Sequence, residues 1–288
     1  MSEGRPAARR LRDLVEPIAA GVYFAPEAIR AYEELGLNYF EGYFCSRSGS
    51  LGRVPGSVVT AAFGHFAPAV VERAIEGGRT KADLDAVLAA RTSGAEAQLE
   101  RLLGPPTEEA ARATEILRSL TDGLNPAGRA LYAGLSVLPW PNTPYGDLWR
   151  AADLVREHRG DAHIAAWMGE VDACEITLMT ELFWGVPARS YVFTRGWSAD
   201  EIDVAAARLA DRDIVGNDAL TDAGRELREE IEQRTDASEA EVMARLGNRQ
   251  EELFELLRPM AKAIVDGGGY PVDPSRMGDT MAASARRR

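Results

Sequence analysis

The chain carries three histidines, His65, His158 and His163, and histidine is the side chain whose ordinary pKa lets it change charge near neutral pH. His158 and His163 flank Arg159, Gly160 and Asp161. Imidazoles exchange protons, Arg159 supplies a permanent cation and Asp161 a carboxylate, so this run suits contact with an anionic or polar small molecule. A plainer reading stands beside it: His158 satisfies the last carbonyls of one helix and Asp161 caps the next. On a helix entered at Asp161, steps of four and three align His163, Trp167, Glu170 and Cys174 on one wall. The bland alternative makes Trp167 core and leaves Glu170 at the solvent border. His65 lies between Phe63 and Phe66, which fits a pocket wall or a satisfied core position. Tyr39, Tyr43, Trp140, Tyr145 and Trp149 extend the aromatic set, because flat amphipathic rings bind ring systems at low entropic cost. From these we assign Tyr43 and Trp149, with His65, His158, Arg159, Asp161, His163 and Trp167, to one ligand-binding set.

Several chemistries lack support. His158, Asp161 and His163 do not have the spacing of a metal signature, so no metal ligand and no cofactor is expected. Cys174 lies eleven residues from His163, roughly 16 Å along a helix at 1.5 Å per residue, too far for a nucleophile and its base. No glycine-rich phosphate loop and no nucleophile elbow occurs. No catalytic residue is assigned, and whether the chain is an enzyme stays open. Cys45 and Cys174 have no CxxC partner, which argues against a disulfide framework or structural zinc and for a reducing, cytoplasmic setting. The net charge of −12 repels phosphate backbones and anionic membranes. No run approaches the 18 or so apolar residues of a membrane span, and no signal-peptide pattern follows the N-terminal arginines.

The elements that must position these residues read almost wholly at helical period. Leu11, Leu14, Val15 and Ile18 draw one apolar stripe, and Pro26 opens a second helix ended by Gly36. The run 46–56 reads as a surface loop. Helices follow near Pro55, Pro68, Thr80, Thr107 and Pro126, and the loop 139–144 is stiffened by three prolines. Tyr145 to His158 is helical, Gly160 is expected to stop that helix, and Asp161 to cap a long helix reaching Trp184. Beyond it, Ser198 with Glu201 makes a capping box. Ile214-Val215 and Ala219–Thr221 then flank a polar turn as two very short strands, and a helix runs from Thr221 to Thr235. Helix, short helix, capped helix, two-stranded wing and helix is the order of a winged helix-turn-helix. One more amphipathic helix, Val242 to Ile264, ends at Gly267, and the basic end Arg286–Arg288 reads as a mobile tail. The fold class is therefore mainly α. A helical ligand-binding domain is expected at 5–160, the winged module at 161–236, a C-terminal helix at 237–266 and a tail at 267–288.

The runs Arg195-Gly196-Trp197-Ser198, Ala207–Ala210 and Ala219–Arg225 followed by Glu229–Glu232 resemble the winged-helix half of MarR-type regulators. The whole chain, from about Ala8 to Pro271, resembles an actinobacterial family that joins a helical domain to such a module. The landmarks are Tyr23–Glu27, Tyr39-Phe40 with Gly42–Phe44, Val58–Ala61 and His158–Asp161 with His163. That resemblance implies small-molecule handling in secondary metabolism. Where the family has an aromatic-Asn-aromatic triplet, this chain has Gly64-His65-Phe66, an added ionisable group.

A winged helix that reads DNA needs Arg or Lys on its capped helix. From Ser198 to Asp213 there are five acids and two bases, from Ser198 to Asp236 twelve and five, and the wing tip offers Asp218. Counterion release, the main source of non-specific affinity, is missing there. Arg189, Arg195, Arg225 and Arg228 are the bases that could still gather into a DNA-facing patch. The reading is a small-molecule binding protein on a repurposed winged helix, with homodimerisation a further expectation. Its alternatives are a MarR-type transcriptional regulator and an acid-base enzyme of natural-product biosynthesis.

Overall fold

The computed structural model describes residues 5–271. Of the expected tail at 267–288, residues 272–288 lie outside them, and Gly269 is buried with its carbonyl accepting from Gln98 Nε2 at 3.0 Å. The fold is mainly α, with a single two-stranded antiparallel sheet among the described residues.

Nine helices build the first part: α1 (Ala7–Ala20), α2 (Pro26–Glu34), α3 (Tyr39–Arg47), α4 (Gly56–Phe63), α5 (Pro68–Arg79), α6 (Leu84–Leu103), α7 (Glu108–Thr121), α8 (Ala130–Ser136) and α9 (Pro144–Trp167). Then come α10 (Ala173–Trp184), α11 (Ala199–Asp211), β1 (Val215–Gly216), β2 (Ala219–Leu220), α12 (Asp222–Ala237), α13 (Ala240–Leu246) and α14 (Gln250–Asp266). The capped-helix signals behave as their chemistry requires. Asn38, Asp172 and Ser198 each take the backbone N–H three residues on, while Glu41, Glu175 and Glu201 return the bond. Asn217 and Asp218 both have positive φ, 52° and 56°, as a tight hairpin turn between right-twisting strands demands.

Two hydrophobic cores result. The larger is built by α1 to α9 and takes in Val242 to Ile264 from α13 and α14. The smaller runs from Ile164 and Trp167 at the end of α9 through α10 and α11 to Ile231 of α12. α9 is the beam that enters both.

Three expectations need correction. The helix does not stop at Gly160: α9 continues to Trp167. A glycine costs about 1 kcal/mol in a helix interior, and burial of Ala162, Ile164 and Trp167 on the following turns outweighs it. Asp161 accordingly caps no helix of its own, and its carboxylate accepts the Tyr132 backbone N–H, 2.9 Å, at the start of α8. The real break comes at Asp172, so Glu170 falls in the turn beside Arg234 (2.8 Å) and Cys174 starts a different helix. Second, the run 46–56 is no simple surface loop, since Ser46, Ser48 and Gly49 are buried in the end of α3 and a 3-10 turn. Third, the last amphipathic stretch is two helices, divided at Gly247, whose φ of 52° ends α13.

Candidate functional site

Between the two cores lies a cavity of about 880 Å³. α1 contributes Arg12 and Glu16, α3 contributes Tyr39, Tyr43 and Arg47, and α9 contributes Arg156, Arg159, Gly160 and His163. The rest of the lining comes from Thr180, Phe183 and Trp184 of α10, from Tyr191 and Arg195, and from Arg228 and Glu232 of α12. Seven arginines line it against four carboxylates (Asp13, Glu16, Glu232 and Glu239). Glu157 and Asp236, just behind the wall, pair with Arg47 and Arg159 at 2.8 Å. Even counting those two, the wall keeps one positive charge in excess, in a chain of net charge −12.

The charged wall is an ordered network. Glu232 pairs with Arg228 at 2.8 Å, Arg159 at 3.0 Å and Arg12 at 3.3 Å. Burial alone would push its carboxyl up, but Arg228 and Arg12 hold it down at about 2. Glu157 accepts hydrogen bonds from Nε and Nη2 of Arg47 at 2.8 Å and is likewise held at about 2, by Arg47 and Arg156 against burial. Arg228 sits 4.9 Å over the Phe183 ring, and burial lowers its pKa. Its Nε and the Nη1 of Arg159 are buried with no hydrogen-bond acceptor, a cost that an added anion would relieve. Arg195 stacks on Tyr191 (4.1 Å) and Phe66 (4.9 Å).

The loop that brings Tyr191 and Arg195 to the cavity is organised by Glu181 of α10. This buried carboxylate accepts the backbone N–H groups of Arg189, Tyr191 and Val192, three donors that the turn would otherwise leave unmet. Gly196, at φ 82°, then lets the chain pass Val70, whose side chain a Cβ would meet at 2.5 Å.

His65 and His163 meet at the cavity edge. Their rings are nearly parallel, 12° apart, with centroids at 6.1 Å, and Trp167 stands edge-on to His65 at 5.7 Å. Gly64 closes α4 in the left-handed region, φ 66°, where an added Cβ would come within 3.1 Å of Ile164 and 3.2 Å of Trp167. Trp197 Nε1 then donates to the His65 carbonyl, 3.1 Å. Burial pushes the His65 imidazole down to about 4, helped by Arg195 and Arg47. His163 is pushed well below its ordinary value by burial and by Arg228. Burial and the neighbouring cations thus favour the neutral form of both rings.

The other residues assigned from sequence divide. Tyr43 and Arg159 line the cavity. Trp167 packs behind His65 in the smaller core. His158 turns away: its Nδ1 meets Glu239 at 2.8 Å and its ring stands edge-on to Tyr132 at 5.0 Å. Asp161 is spent on α8, and burial raises its pKa to about 7. Trp149 is not a pocket residue, because it is 1% exposed in the larger core and its indole N–H donates to Ala19. Cys45 and Cys174 are buried and free, their pKa values raised by burial to about 11 and about 12, which makes them poor nucleophiles. Sequence reading missed Arg12, Glu16, Arg47, Arg156, Phe183, Trp184 and Glu232. The four-residue spacing of Arg12 with Glu16 and of Arg228 with Glu232 was a usable signal, though it says nothing of what faces it.

The outer face of α11 is the contrast. Asp200, Glu201, Asp203 and Asp211 are exposed on it. Arg208 turns back to Asp172 and Glu175, Arg189 to Asp203 and Arg225 to Asp222. Arg195 and Arg228 line the cavity instead. The four arginines do not converge on a groove-facing patch. No helix among the described residues is long and apolar enough to cross a membrane.

A family model described as a helix-turn-helix family matches residues 8–271. The chain belongs to that helix-turn-helix family. No curated protein and no solved structure matches it.

Proposed function

We propose that the protein binds a small organic anion with an aromatic body in the cavity between its helical part (5–160) and a MarR-like winged module (161–236), which has been turned from reading DNA to closing a ligand site. The observation that carries this reading is the distribution of arginine: the winged segment places Arg195 and Arg228 on the cavity wall and leaves acids on the face that a DNA reader would make basic. A cavity of about 880 Å³ is in the range of small-molecule sites, whose walls are mainly apolar with a few charged groups that orient the ligand. Guanidinium groups recognise a carboxylate through two parallel N–H donors, and the flanking rings supply stacking area.

Family membership favours a second reading, a DNA-binding regulator. In that case the ligand would act by altering the contacts of α12, whose Arg228 and Glu232 sit in the wall.

The test is thermal unfolding of the full chain with 2-naphthoate against its neutral analogue 2-naphthylmethanol. At a hundredfold excess over Kd, a ligand of the folded state adds about 2.7 kcal/mol, roughly 4–5 °C for a chain this size. The anion should stabilise and the alcohol should not, and Arg195→Met should remove most of the shift. Equal stabilisation by the alcohol, or an unchanged shift in Arg195→Met, contradicts the reading.

A further inference from the structure

The two stacked imidazoles have a feature that the anion site does not require. His65 Nδ1 lies 2.9 Å from the Phe63 carbonyl oxygen, an atom that can only accept, so this nitrogen carries the proton. His163 Nδ1 lies 3.2 Å from Thr235 Oγ1, and that hydroxyl already donates to the Ile231 carbonyl at 2.8 Å. Its free role is therefore to accept, and His163 Nδ1 carries a proton as well. Both neutral rings are thereby fixed with a bare lone pair on Nε2. Among the described residues neither Nε2 has a hydrogen-bond partner, and neither is among the buried unsatisfied atoms. Both rings line the cavity and are half-buried, so the accessible nitrogens border that space.

We infer that His65 and His163 form a paired hydrogen-bond acceptor, one imidazole from the α4–α5 loop and one from α9, that selects a ligand bearing a hydroxyl or amine donor in addition to its anionic group. The inference rests on the cavity being the ligand site and names the class of ligand: a hydroxylated or aminated aryl acid. The charged groups facing the pair favour the neutral acceptor form. Arg195, Arg47 and Arg228 act on His65, and Arg228 and Arg159 act on His163 against Glu232. A wall of cations opposes a further proton on either ring, and a site built to satisfy a ligand hydroxyl rejects the analogue lacking it because its own buried group is then unpaired. The two readers come from different parts of the chain. His65 is held in place by Trp197 of the helix-turn-helix segment and His163 by Thr235 of α12, so the donor end of the ligand lies where the two cores meet.

Two measurements on the full chain test this. Long-range ¹H–¹⁵N correlation of the imidazoles reads the tautomer directly, and with three histidines in the chain single His→Gln variants assign the signals. At pH 7 His65 and His163 should both be neutral with the proton on Nδ1. Finding either one charged, or protonated on Nε2, overturns the inference whatever the ligand. Calorimetry then compares 6-hydroxy-2-naphthoate with 6-methoxy-2-naphthoate and 2-naphthoate, alongside the 3-hydroxy isomer. At least one hydroxyl isomer should bind about tenfold more tightly than the methoxy and unsubstituted acids. Thr235→Val keeps the imidazole but removes its acceptor, so His163 should move its proton to Nε2 and the hydroxyl advantage should fall severalfold while 2-naphthoate binding holds. An advantage that survives in both Thr235→Val and His65→Leu overturns the pairing. Failure of 2-naphthoate itself, with the tautomers as stated, counts against the anion site instead.

Discussion

The stretch from α10 to α12 has two surfaces of opposite charge, the part of the cavity wall that holds Arg195 and Arg228 and the outer face of α11. Inside, Arg195 and Arg228 line the same space as Arg47, Arg156 and Arg159. Outside, Asp200, Glu201, Asp203 and Asp211 are exposed, and the one basic side chain inside that stretch, Arg208, is turned to Asp172 and Glu175. In a protein that binds DNA through this motif the arginines belong outside, where phosphates are. Here the burial of guanidinium groups, each costly to desolvate, has been accepted on the inner side. Family membership describes the scaffold. The distribution of charge over its two surfaces is the ground for the proposed ligand site.

The comparison breaks most completely at Glu232, which pairs with four arginines and whose side chain is 6% exposed. Glu232→Gln leaves buried cations uncompensated and should cost about 3–5 kcal/mol in urea unfolding at pH 7. A cost under about 1 kcal/mol would show that water screens the wall. Acid titration gives the same result by another route. The folded pKa values of Glu232 and Glu157, about 2, lie below the ordinary carboxylate value near 4.5. Their contribution is complete above pH 4.5 and is lost as pH falls toward 2.

Asp161, off the wall, has the opposite sign. Burial raises its pKa from 3.8 to about 7, so the folded state binds the proton more tightly and stability falls as pH rises from about 4 to 7. Asp161→Asn keeps an acceptor for the Tyr132 N–H and should add about 2 kcal/mol at pH 8, with little change at pH 4. Equal effects at both pH values would place the carboxylate in water. His65 works against this trend: its value of about 4 means stability complete above pH 6.5 and lost as pH falls toward 4. The Asp161→Asn comparison should therefore be made pH by pH.

Much of this was legible in the sequence and some was not, for physical reasons. The capping box at Ser198, the turn 216–218 and the helix opened at Thr221 are local signals, and the structure has the capped helix, the two-stranded turn and the following helix at those positions. The capping box Asp172-Glu175 was equally local and was overlooked because Gly160 looked like the stop. Only the packing of two cores around α9 makes the helix run through that glycine. His65, Arg159 and His163 could be singled out by residue type, and Tyr43 by its place in an aromatic run. Trp149 could not be separated from them, because a ring that fills a core and a ring that lines a cavity have the same sequence signature. The arginines of α1, α3 and α12 converge through contacts more than a hundred residues apart, which no spacing rule records.

The smallest expected effect sharpens the outer half of the comparison. Replacing Asp200, Asp203 and Asp211 together by Lys should confer salt-dependent, sequence-independent binding to double-stranded DNA. We expect it to be at least tenfold tighter than the parent at low salt and to weaken with a slope near −0.9 per phosphate contacted. Tight DNA binding by the parent chain, unchanged by these substitutions, would mean that another surface does the reading.

The most direct measurement is the position of a bound aryl anion. Anomalous diffraction from crystals soaked in 6-bromo-2-naphthoate should place bromine among α1, α3, α9, α10 and α12, with the carboxylate toward the arginines. Bromine found only on the molecular surface, with the cavity filled by water alone, would contradict the account.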